Sequence, residues 1–328
     1  MKTDHILVTG ANGFVGQHLC RALAEDGRKV TGFVRASANV SQLLHVPGLR
    51  LVTVVDYKDT ALYEKDLRDV DVVVHLAARA HVMNDTEPDP LAEFRKVNVT
   101  NTKMLAMAAA AAGVRRYVYV SSIKVNGEMT DLRSFEADDQ PGFVDPYGQS
   151  KWEAEEGLRE IAVSFGMEWS IVRPPLIYGP GVRGNFRLLL NILRRGLPLP
   201  LGAVRNRRSF VSVYNLVDLL KTMLDHPHAA GQRFLVKDAE DVSTSELIRH
   251  IAVGMKCPAR LVPVPMNLLV MAGRLLRREE VVTRLCSSLV VNTEKTRSEL
   301  GWIAPMPLAT GIGRTCEWFR AAASDGVL

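Results

Sequence analysis

The sequence has 328 residues, which at about 150 residues per domain predicts two compact units or one large α/β unit with an appendage. Apolar residues make up 47% and charged residues 23% of the chain, which excludes a disordered tail protein, a fibrous repeat and a small disulfide-stapled scaffold. The net charge is +5, with 29 Arg against 12 Lys, and this surplus suits an anionic small substrate. Because few aromatic residues accompany the basic clusters, we expect no nucleic-acid partner.

The cysteines and the apolar segments indicate a cytoplasmic protein. The four cysteines are widely spaced, form no CxxC pair and have no histidine at metal-ligand spacing, so we expect free thiols in a reducing compartment and no metal site. The first residues run straight into an apolar strand without the pattern of a signal peptide. The longest apolar stretch, 261–273, is interrupted by prolines and is too short to cross a bilayer, so no stable membrane insertion is expected.

Short β-rich runs alternate with longer helical patterns through the first half of the chain, which predicts a parallel sheet with crossover helices. The predicted strands lie at residues 5–9, 29–34, 51–55, 71–75, 116–121 and 168–172. The predicted helices lie at residues 14–25, 91–112 and 146–165. Six strands wound in this way make a Rossmann-like, doubly wound parallel sheet of the α/β class.

The composition of the sequence changes after residue 173, because residues 174–184 are rich in proline and glycine, which is typical of a loop. We therefore predict a first domain over 1–178, which carries the sheet, and a smaller C-terminal substrate-binding domain over 179–328. A further strand is predicted at 208–213, and the segment of about 208–236 is expected to return to the first domain.

A glycine-rich turn joins the first predicted strand to the first predicted helix. Residues 9–16 read TGANGFVG, and such glycines allow a tight turn and let backbone N–H groups approach a pyrophosphate at the helix N-terminus. The alternative is an ordinary strand-to-helix turn. We predict a dinucleotide-binding loop formed by Gly10, Asn12, Gly13, Phe14, Val15 and Gly16.

The end of the second predicted strand bears on the choice of dinucleotide. An acidic residue at this position would hydrogen-bond the adenosine ribose hydroxyls of NAD, whereas this chain has Arg35, which suits a ribose 2′-phosphate. NADP(H) is therefore the favoured cofactor, and NAD(H) stays possible if Arg35 is only a surface residue. Asp56, after the third strand, is a candidate to bind the adenine amine, or a helix cap.

A tyrosine and a lysine, Tyr147 and Lys151, lie one helical turn apart and therefore on one face of the predicted helix. The spacing alone is weak evidence, but a neighbouring ammonium should lower the pKa of the phenol and make it a usable acid or base. Ser122 follows the fifth predicted strand, at the sheet edge where ligands bind, and can hydrogen-bond a substrate carbonyl. We predict that these three residues are catalytic.

Together these motifs resemble the extended short-chain dehydrogenases/reductases, which include sugar-nucleotide epimerases, dehydratases and 4-ketoreductases. The resemblance covers nearly the whole chain. It rests on TGxxGxxG at 9–16, VHLAA at 74–78, Asn98, the serine pair at 121–122, the Tyr147/Lys151 pair, RPP at 173–175 and LGW at 300–302.

The resemblance implies roles for further residues. Lys151 would also hold the nicotinamide ribose, and the cofactor groove would be lined by Leu76, Ala77, Ala78, Asn98, Ser121, Tyr147 and Pro174. Arg208 would bind the nucleotide pyrophosphate, with a domain-bridging ion pair as the alternative. The other residues expected near a UDP-sugar substrate are Arg79, Lys124, Asn185 and Leu199. The resemblance also implies a homodimer formed through the long helices, one of which has a small-residue face at 102–112. Packing of that face within the chain is the alternative.

Departures from the family pattern narrow the expected reaction. The 4,6-dehydratases carry an Asp-Glu pair after the hydroxyl residue, whereas this chain has Ile123 and Lys124, so dehydration is not expected. Residues 121–128, 181–186 and 196–202 resemble bacterial O-antigen enzymes, either UDP-N-acetyl-4-keto-6-deoxyhexosamine 4-reductases, which form UDP-N-acetylquinovosamine, or 4-epimerases of UDP-N-acetylhexosamine or its lipid-linked form. Arg35 favours the reductase, because a reductase exchanges NADPH at each turnover. A non-catalytic dinucleotide sensor is a remote alternative.

Overall fold

The chain folds around one parallel sheet, and the computed structural model describes residues 3–54, 60–80, 88–276 and 279–324. Seven strands lie in the order β3-β2-β1-β4-β5-β6-β9, and all neighbours are parallel. These strands are β1 (His5–Thr9), β2 (Lys29–Arg35), β3 (Leu49–Val54), β4 (Val72–His75), β5 (Arg116–Val120), β6 (Glu168–Arg173) and β9 (Gln232–Leu235). A separate parallel pair is formed by β7 (Leu176–Tyr178) and β8 (Phe210–Ser212).

Helices connect and cover these strands. In the sheet-bearing part they are α1 (Phe14–Glu25), α2 (Thr60–Leu67), α3 (Pro90–Phe94), α4 (Asn101–Ala111), α5 (Pro146–Phe165) and α7 (Val213–Asp225). In the smaller lobe and the C-terminal part they are α6 (Gly184–Arg194), α8 (Thr244–Met255), α9 (Met266–Leu275), α10 (Glu279–Cys286), α11 (Glu294–Leu300) and α12 (Leu308–Ser324). A π-helical segment (Arg95–Thr100) and two 3₁₀ turns (Ile123–Val125 and Pro227–Ala229) complete the described elements.

The predicted α/β class and doubly wound sheet are confirmed, with two differences. The predicted helix at 91–112 is divided, because a π-helical segment separates α3 from α4. The predicted strand at 208–213 is shorter and pairs with β7 outside the main sheet, while the segment after it supplies β9 at the sheet edge. Of the predicted strand at 51–55, residue 55 lies outside the described residues.

Both faces of the sheet are buried, which explains why the inner strands are mainly apolar and carry polar residues chiefly at their ends. Helices α1 and α7 pack together on one face. Helices α4 and α5 pack together on the other, where Ala106 and Ala109 of the small-residue face are fully buried. That face of α4 is therefore used, at least in part, for packing within the chain.

The smaller lobe has its own apolar core between α6, α8 and α12, centred on Leu190, Ile248 and Phe319. A buried hydrogen bond from Tyr178 Oη to Asp238 Oδ2 (2.6 Å) lies where this lobe meets the sheet-bearing part. Within the described ranges, no helix is both long and apolar enough to cross a membrane.

Candidate active site

The predicted dinucleotide loop is a tight turn between β1 and α1, and two of its positions, Gly10 and Gly16, leave no room for a side chain. Gly10 has a φ of +65°, and a Cβ added there would lie 3.0 Å from the backbone nitrogen of Ala77. A Cβ added at Gly16 would lie 2.2 Å from the carbonyl oxygen of Gly10. No side chain caps α1, which begins after Gly13, so its first-turn N–H groups are available to an anion. This cradle fits the pyrophosphate of a dinucleotide.

Tyr147 lies in the first turn of α5, beside the end of β5. The helix begins there because Asp145 is its N-cap, with Oδ1 accepting from the Gly148 nitrogen (2.6 Å), and Pro146 follows. The Ser122 side chain lies beside the Tyr147 hydroxyl and acts to lower the pKa of the phenol. The Phe94 ring packs against the Tyr147 ring, with centroids 5.8 Å apart. The structure therefore brings the predicted hydroxyl pair together.

The predicted lowering of the phenol pKa by Lys151 is wrong for this structure. Burial raises the pKa of Tyr147 to about 12, although the neighbouring Ser122 side chain acts in the opposite direction. The Lys151 ammonium lies elsewhere, because Nζ donates to the carbonyl oxygen of Val120 (2.8 Å) and sits 4.1 Å from the centroid of the Tyr119 ring. Desolvation of this fully buried side chain lowers the pKa of Lys151 to about 7.

A chain of buried polar groups, not predicted from the sequence, links the dinucleotide loop to the helices on one face of the sheet. The backbone nitrogens of Leu76 and Ala77 donate to Oγ1 of Thr9 (3.2 and 3.1 Å). Thr9 Oγ1 lies 2.7 Å from His75 Nδ1, and His75 Nε2 lies 3.0 Å from Thr102 Oγ1. Burial lowers the pKa of His75 to about 3, so the ring is neutral and links both threonines.

Asn98 continues this network to the catalytic helix. Thr102 donates to the Asn98 carbonyl oxygen (2.6 Å), and the Asn98 amide donates to Ser150 Oγ (2.9 Å). Ser150 donates in turn to the carbonyl oxygen of Tyr147 (2.8 Å). Asn98 Oδ1 also accepts from the backbone nitrogen of Arg79 (2.8 Å). Asn98 lies on the π-helical segment, a feature often found at functional sites. The sequence signals of this network are the TGxxGxxG and VHLAA motifs and Asn98 itself.

A buried ion pair anchors α5 to β6. Arg173 donates through Nε and Nη2 to the two carboxylate oxygens of Glu155 (2.9 and 2.6 Å), and both side chains are essentially inaccessible to solvent. Glu155 lies one turn after Lys151, and its charge favours the protonated form of that lysine. The spacing of Glu155 from Lys151 and the RPP motif are the sequence signals of this pair.

Lys124 and Arg208 both have protein partners. Lys124 forms ion pairs with Glu128 (2.6 Å) and Asp145. Burial acts to lower the pKa of Lys124, but these hydrogen bonds raise it above its ordinary value. Arg208 Nη1 donates to the carbonyl oxygens of Arg284 (2.7 Å) and Ser287 (2.9 Å). Arg208 therefore bonds to backbone carbonyls instead of forming the alternative ion pair considered for it.

The remaining predicted residues are distributed around the carboxyl edge of the sheet and the smaller lobe. Arg35 is exposed at the end of β2, and Asn185 is exposed in the first turn of α6. Leu199 is paired with residue 261 in an isolated bridge, and the Arg79 guanidinium lies 5.5 Å from the Phe94 ring centroid. Asp56 lies outside the described residues.

Backbone hydrogen bonds join the segment that follows β5 to the end of β6 and the residues after it. Ser121 donates its backbone N–H to the carbonyl oxygen of Val172 (2.8 Å), and Ile123 donates to that of Pro174 (3.0 Å). Ser121, Ser122 and Pro174 are therefore held at one edge of the sheet, as predicted for a groove that receives a ligand.

Comparison with known proteins agrees with this geometry. The chain is 42% identical over 320 residues to a UDP-glucose 4-epimerase of Vibrio cholerae, covering 97% of this chain and 96% of that protein. It is 29% identical over 342 residues to the N-acetyl-alpha-D-glucosaminyl-diphospho-ditrans,octacis-undecaprenol 4-epimerase of Escherichia coli O157:H7, covering 99% and 98% of the two chains.

The fold is also shared with a solved enzyme structure. The crystal structure of UDP-glucuronic acid 4-epimerase from Bacillus cereus in complex with NAD matches with a TM-score of 0.79 at 20% identity, over 97% of this chain and 99% of that chain. Residues 6–236 match the family described as "NAD dependent epimerase/dehydratase family". The predicted resemblance is thus confirmed, and the chain belongs to the NAD-dependent epimerase/dehydratase family of enzymes.

Proposed function

We propose that this enzyme reduces the C4 ketone of a UDP-N-acetyl-6-deoxy-4-ketohexosamine with NADPH, forming a UDP-N-acetylquinovosamine-type product for polysaccharide synthesis. The observation that carries C4 oxidoreduction is the placement of the Ser122 side chain beside the Tyr147 hydroxyl, with Lys151 buried one turn further along the same helix as Tyr147. A hydroxyl pair of this kind can bind one oxygen atom and transfer one proton to it.

The residues would divide the reaction as follows. A bound nicotinamide supplies the hydride. Ser122 donates a hydrogen bond to the C4 carbonyl oxygen of the sugar and orients it, and Tyr147 delivers a proton to that oxygen as it becomes an alcohol. Lys151 would bind the nicotinamide ribose through its ammonium, which has further N–H donors besides the one that bonds to the Val120 carbonyl.

The preference for NADPH rests on Arg35. This side chain is exposed at the carboxyl end of β2, where a guanidinium can form a charge-assisted pair with a 2′-phosphate. A reductase of this kind must release its oxidised cofactor and bind a reduced one at every turnover. A contact between Arg35 and the 2′-phosphate would let the enzyme select NADPH from solution at each turnover, whereas an epimerase would keep one NAD bound.

The proposed substrate is a UDP-sugar held between the sheet edge and the smaller lobe. Arg208 is the proposed diphosphate ligand, because its partly exposed guanidinium lies where α10 meets the rest of the lobe. Asn185 and Leu199 would frame the sugar, and Arg79 and Lys124 would approach the sugar and the diphosphate from the sheet side. We also propose that the enzyme acts as a homodimer through α4 and α5.

The second candidate is an NAD-dependent C4 epimerase of UDP-N-acetylhexosamine or of its lipid-linked form. It is favoured by the named activities of the two relatives, both of which are 4-epimerases. The same Ser122 and Tyr147 would first remove the proton of the C4 hydroxyl, while the C4 hydride passes to bound NAD. After the ketone has turned over, the hydride would return to its opposite face and Tyr147 would return the proton to the oxygen.

The test follows NADPH absorbance after purified protein is mixed with UDP-2-acetamido-2,6-dideoxy-4-ketohexose, with NADH in a parallel reaction. We expect oxidation of NADPH in step with the ketosugar, and a single C4 configuration of the product by NMR. If no cofactor is consumed while UDP-N-acetylglucosamine or its lipid-linked counterpart is interconverted at C4, the enzyme is the epimerase and the reductase proposal is wrong.

A further inference from the structure

Helix α9 carries an apolar stripe on the side that faces away from the core. Leu269 and Gly273 form the inner side, where Leu269 is buried and a Cβ added at Gly273 would lie 2.8 Å from Cγ2 of Val282. Leu268, Met271 and Leu275 are spaced by three and four residues and therefore share a different face. These three residues, called here the α9 stripe, are 49%, 62% and 84% exposed.

The α9 stripe belongs to a larger exposed apolar region. Helices α9 and α10 and the residues beside them carry further large, exposed apolar side chains, namely Val262, Met266, Leu276, Val281 and Leu285. Single exposed apolar residues are common on protein surfaces, but a cluster of this size marks a binding surface. The sequence had singled out the same stretch as its longest apolar run, and neither the sheet nor the catalytic group uses this face.

The segments that build this part of the lobe are strongly basic. Residues 183–208 contain seven Arg and no acidic residue, and residues 256–286 contain six Lys or Arg and two Glu. Their combined net charge is +11, so the rest of the chain, with a total of +5, carries −6. The exposed cations among them include Arg194, Arg195, Arg260, Arg274 and Arg284.

The basic and apolar groups lie in one continuous lobe. Leu199 bonds with the neighbouring segment through the backbone of Arg260 (2.8 Å) and Val262 (2.9 Å). A Cβ added at Gly196, which follows α6, would lie 3.9 Å from Cζ of Arg260. Arg274 pairs with Glu279 across the α9–α10 connection, so one of the two acidic residues is already neutralised. The apolar surface is therefore bordered mainly by uncompensated positive charge.

We infer that the α9 stripe and the arginines around it dock this lobe on an anionic lipid surface. An amphipathic helix with Leu and Met on one side and Arg beside it lies in the plane of the membrane interface. Negatively charged headgroups attract such basic segments and thereby complement the +11 charge. Because no described helix is long and apolar enough to cross a bilayer, the contact is at the surface.

A second copy of the chain is a poorer occupant of the same face. Two lobes joined through their α9 stripes would bring together two copies of these basic segments, each with a net charge of +11. Repulsion between like charges opposes such a contact. An anionic bilayer satisfies both features at once, since it offers apolar depth to the leucines and negative charge to the arginines.

The docking face also adjoins the proposed substrate site. The backbone carbonyl of Arg284, on α10, accepts a hydrogen bond from Arg208, and Leu199 lies beside the segment that leads into α9. A substrate held by these residues would thus be bound at the membrane side of the enzyme.

The test is sedimentation of the full-length protein with vesicles of phosphatidylglycerol and phosphatidylethanolamine, compared with vesicles of phosphatidylcholine alone. The test variant combines Leu268→Gln, Met271→Gln and Leu275→Gln. The control variant combines Leu44→Gln, Leu132→Gln and Ile303→Gln, which are at least half exposed but lie outside the lobe and outside α4 and α5. Helix content by circular dichroism confirms that each variant is folded.

We expect the wild type and the control to bind anionic vesicles, with less binding at high salt. The test variant should bind at least about tenfold more weakly, with unchanged turnover of a water-soluble substrate. Failure of the wild type to bind anionic vesicles, or equal binding by the test variant, would overturn the inference. Dimers that form through these residues would assign the face to a second copy and overturn it as well. Sedimentation does not depend on turnover, so this result is separate from that of the reductase assay.

Discussion

Oγ1 of Thr9, at the end of β1, lies 2.7 Å from Nδ1 of His75, at the end of β4. Thr102 donates its only hydroxyl proton to the Asn98 carbonyl, so it accepts from Nε2–H of His75. The other ring nitrogen therefore carries a lone pair and accepts from Thr9. This arrangement fixes one tautomer and leaves Thr9 to accept from the backbone nitrogens of Leu76 and Ala77, which line the predicted cofactor groove.

Replacement of His75 should reduce stability more than replacement of an exposed histidine. The His75→Leu variant leaves the Thr9 donor and the Thr102 acceptor unpaired in a buried site, which costs about 2–4 kcal/mol of unfolding free energy. Urea unfolding at neutral pH measures this loss, and His45→Leu, at an exposed position, should change the value by less than about 0.5 kcal/mol. Equal effects of the two substitutions would contradict a structural role for the network.

The same residue should make stability depend on pH. The pKa of His75 is about 3 in the folded protein and near its ordinary value of about 6.5 when unfolded. The unfolded chain therefore binds more protons between these two values, so the free energy of unfolding falls as pH decreases through this range, by up to about 1.4 kcal/mol per unit. The slope for wild type minus the slope for His75→Leu isolates this contribution, and identical slopes would refute it.

Removal of the phenol should stop turnover without releasing the cofactor. Tyr147→Phe keeps the ring contact with Phe94 but deletes the proton that the reaction requires, so the rate should fall by at least about a hundredfold. Cofactor binding, followed by fluorescence quenching, should stay within about twofold because no predicted phosphate or ribose contact is lost. Tyr214→Phe, at a tyrosine away from this site, is the control. Normal turnover by Tyr147→Phe would remove Tyr147 from the mechanism.

Cofactor affinity should decrease with rising pH because of Lys151. The pKa of this residue is about 7 before the cofactor binds, so the donor ammonium is present below that value and becomes an amine above it. We expect the dissociation constant to increase between about pH 6 and about pH 9. Lys151→Arg stays charged throughout, and its affinity should therefore be flat over the same range. A flat profile in the wild type would show that the charge of Lys151 does not contribute to binding.

Arg35 should distinguish the two nicotinamide cofactors. Loss of a charge-assisted pair with a 2′-phosphate in Arg35→Ala costs about 1.5–3 kcal/mol, which is about tenfold or more in affinity. NADPH binding should weaken by this factor while NADH binding is unchanged, as measured by titration calorimetry. Arg21→Ala, on the exposed side of α1 with its guanidinium bonded to Gln42, serves as the control. An equal loss for both cofactors would contradict the proposed preference.

The sequence predicted best those parts of the protein in which local pattern and tertiary packing agree. The bounds of α1 and α5 match the prediction because each helix has a clear start signal, Gly13 for α1 and the Asp145-Pro146 pair for α5. Strand β9 was not predicted as a separate strand, because four residues at a sheet edge, two of them polar, carry little periodicity. The π-helical segment was hidden inside a continuous helical pattern.

In the site, too, local sequence indicates which residues take part, whereas tertiary packing determines their pKa values and their partners. The prediction that Ser122, Tyr147 and Lys151 act together rests on their position after β5 and on the family resemblance, and it stays a prediction. The direction of the Tyr147 pKa could not be predicted in this way, because it depends on how burial compares with the effect of the neighbouring Ser122 side chain. The roles of His75 and Glu155 could not be read from the sequence either, since their partners lie on other elements, brought together only by the fold.

The path of the chain after β6 has a consequence for how this protein can be altered. The chain leaves the sheet for the smaller lobe and then comes back to supply α7 and β9. The sheet-bearing part is therefore built from separate stretches of the chain, and no single division of the chain separates it from the smaller lobe. Exchange of specificity between relatives by swapping a C-terminal half would remove a layer of the nucleotide-binding part, so recombination should instead be confined to separate inserts flanking that returning segment.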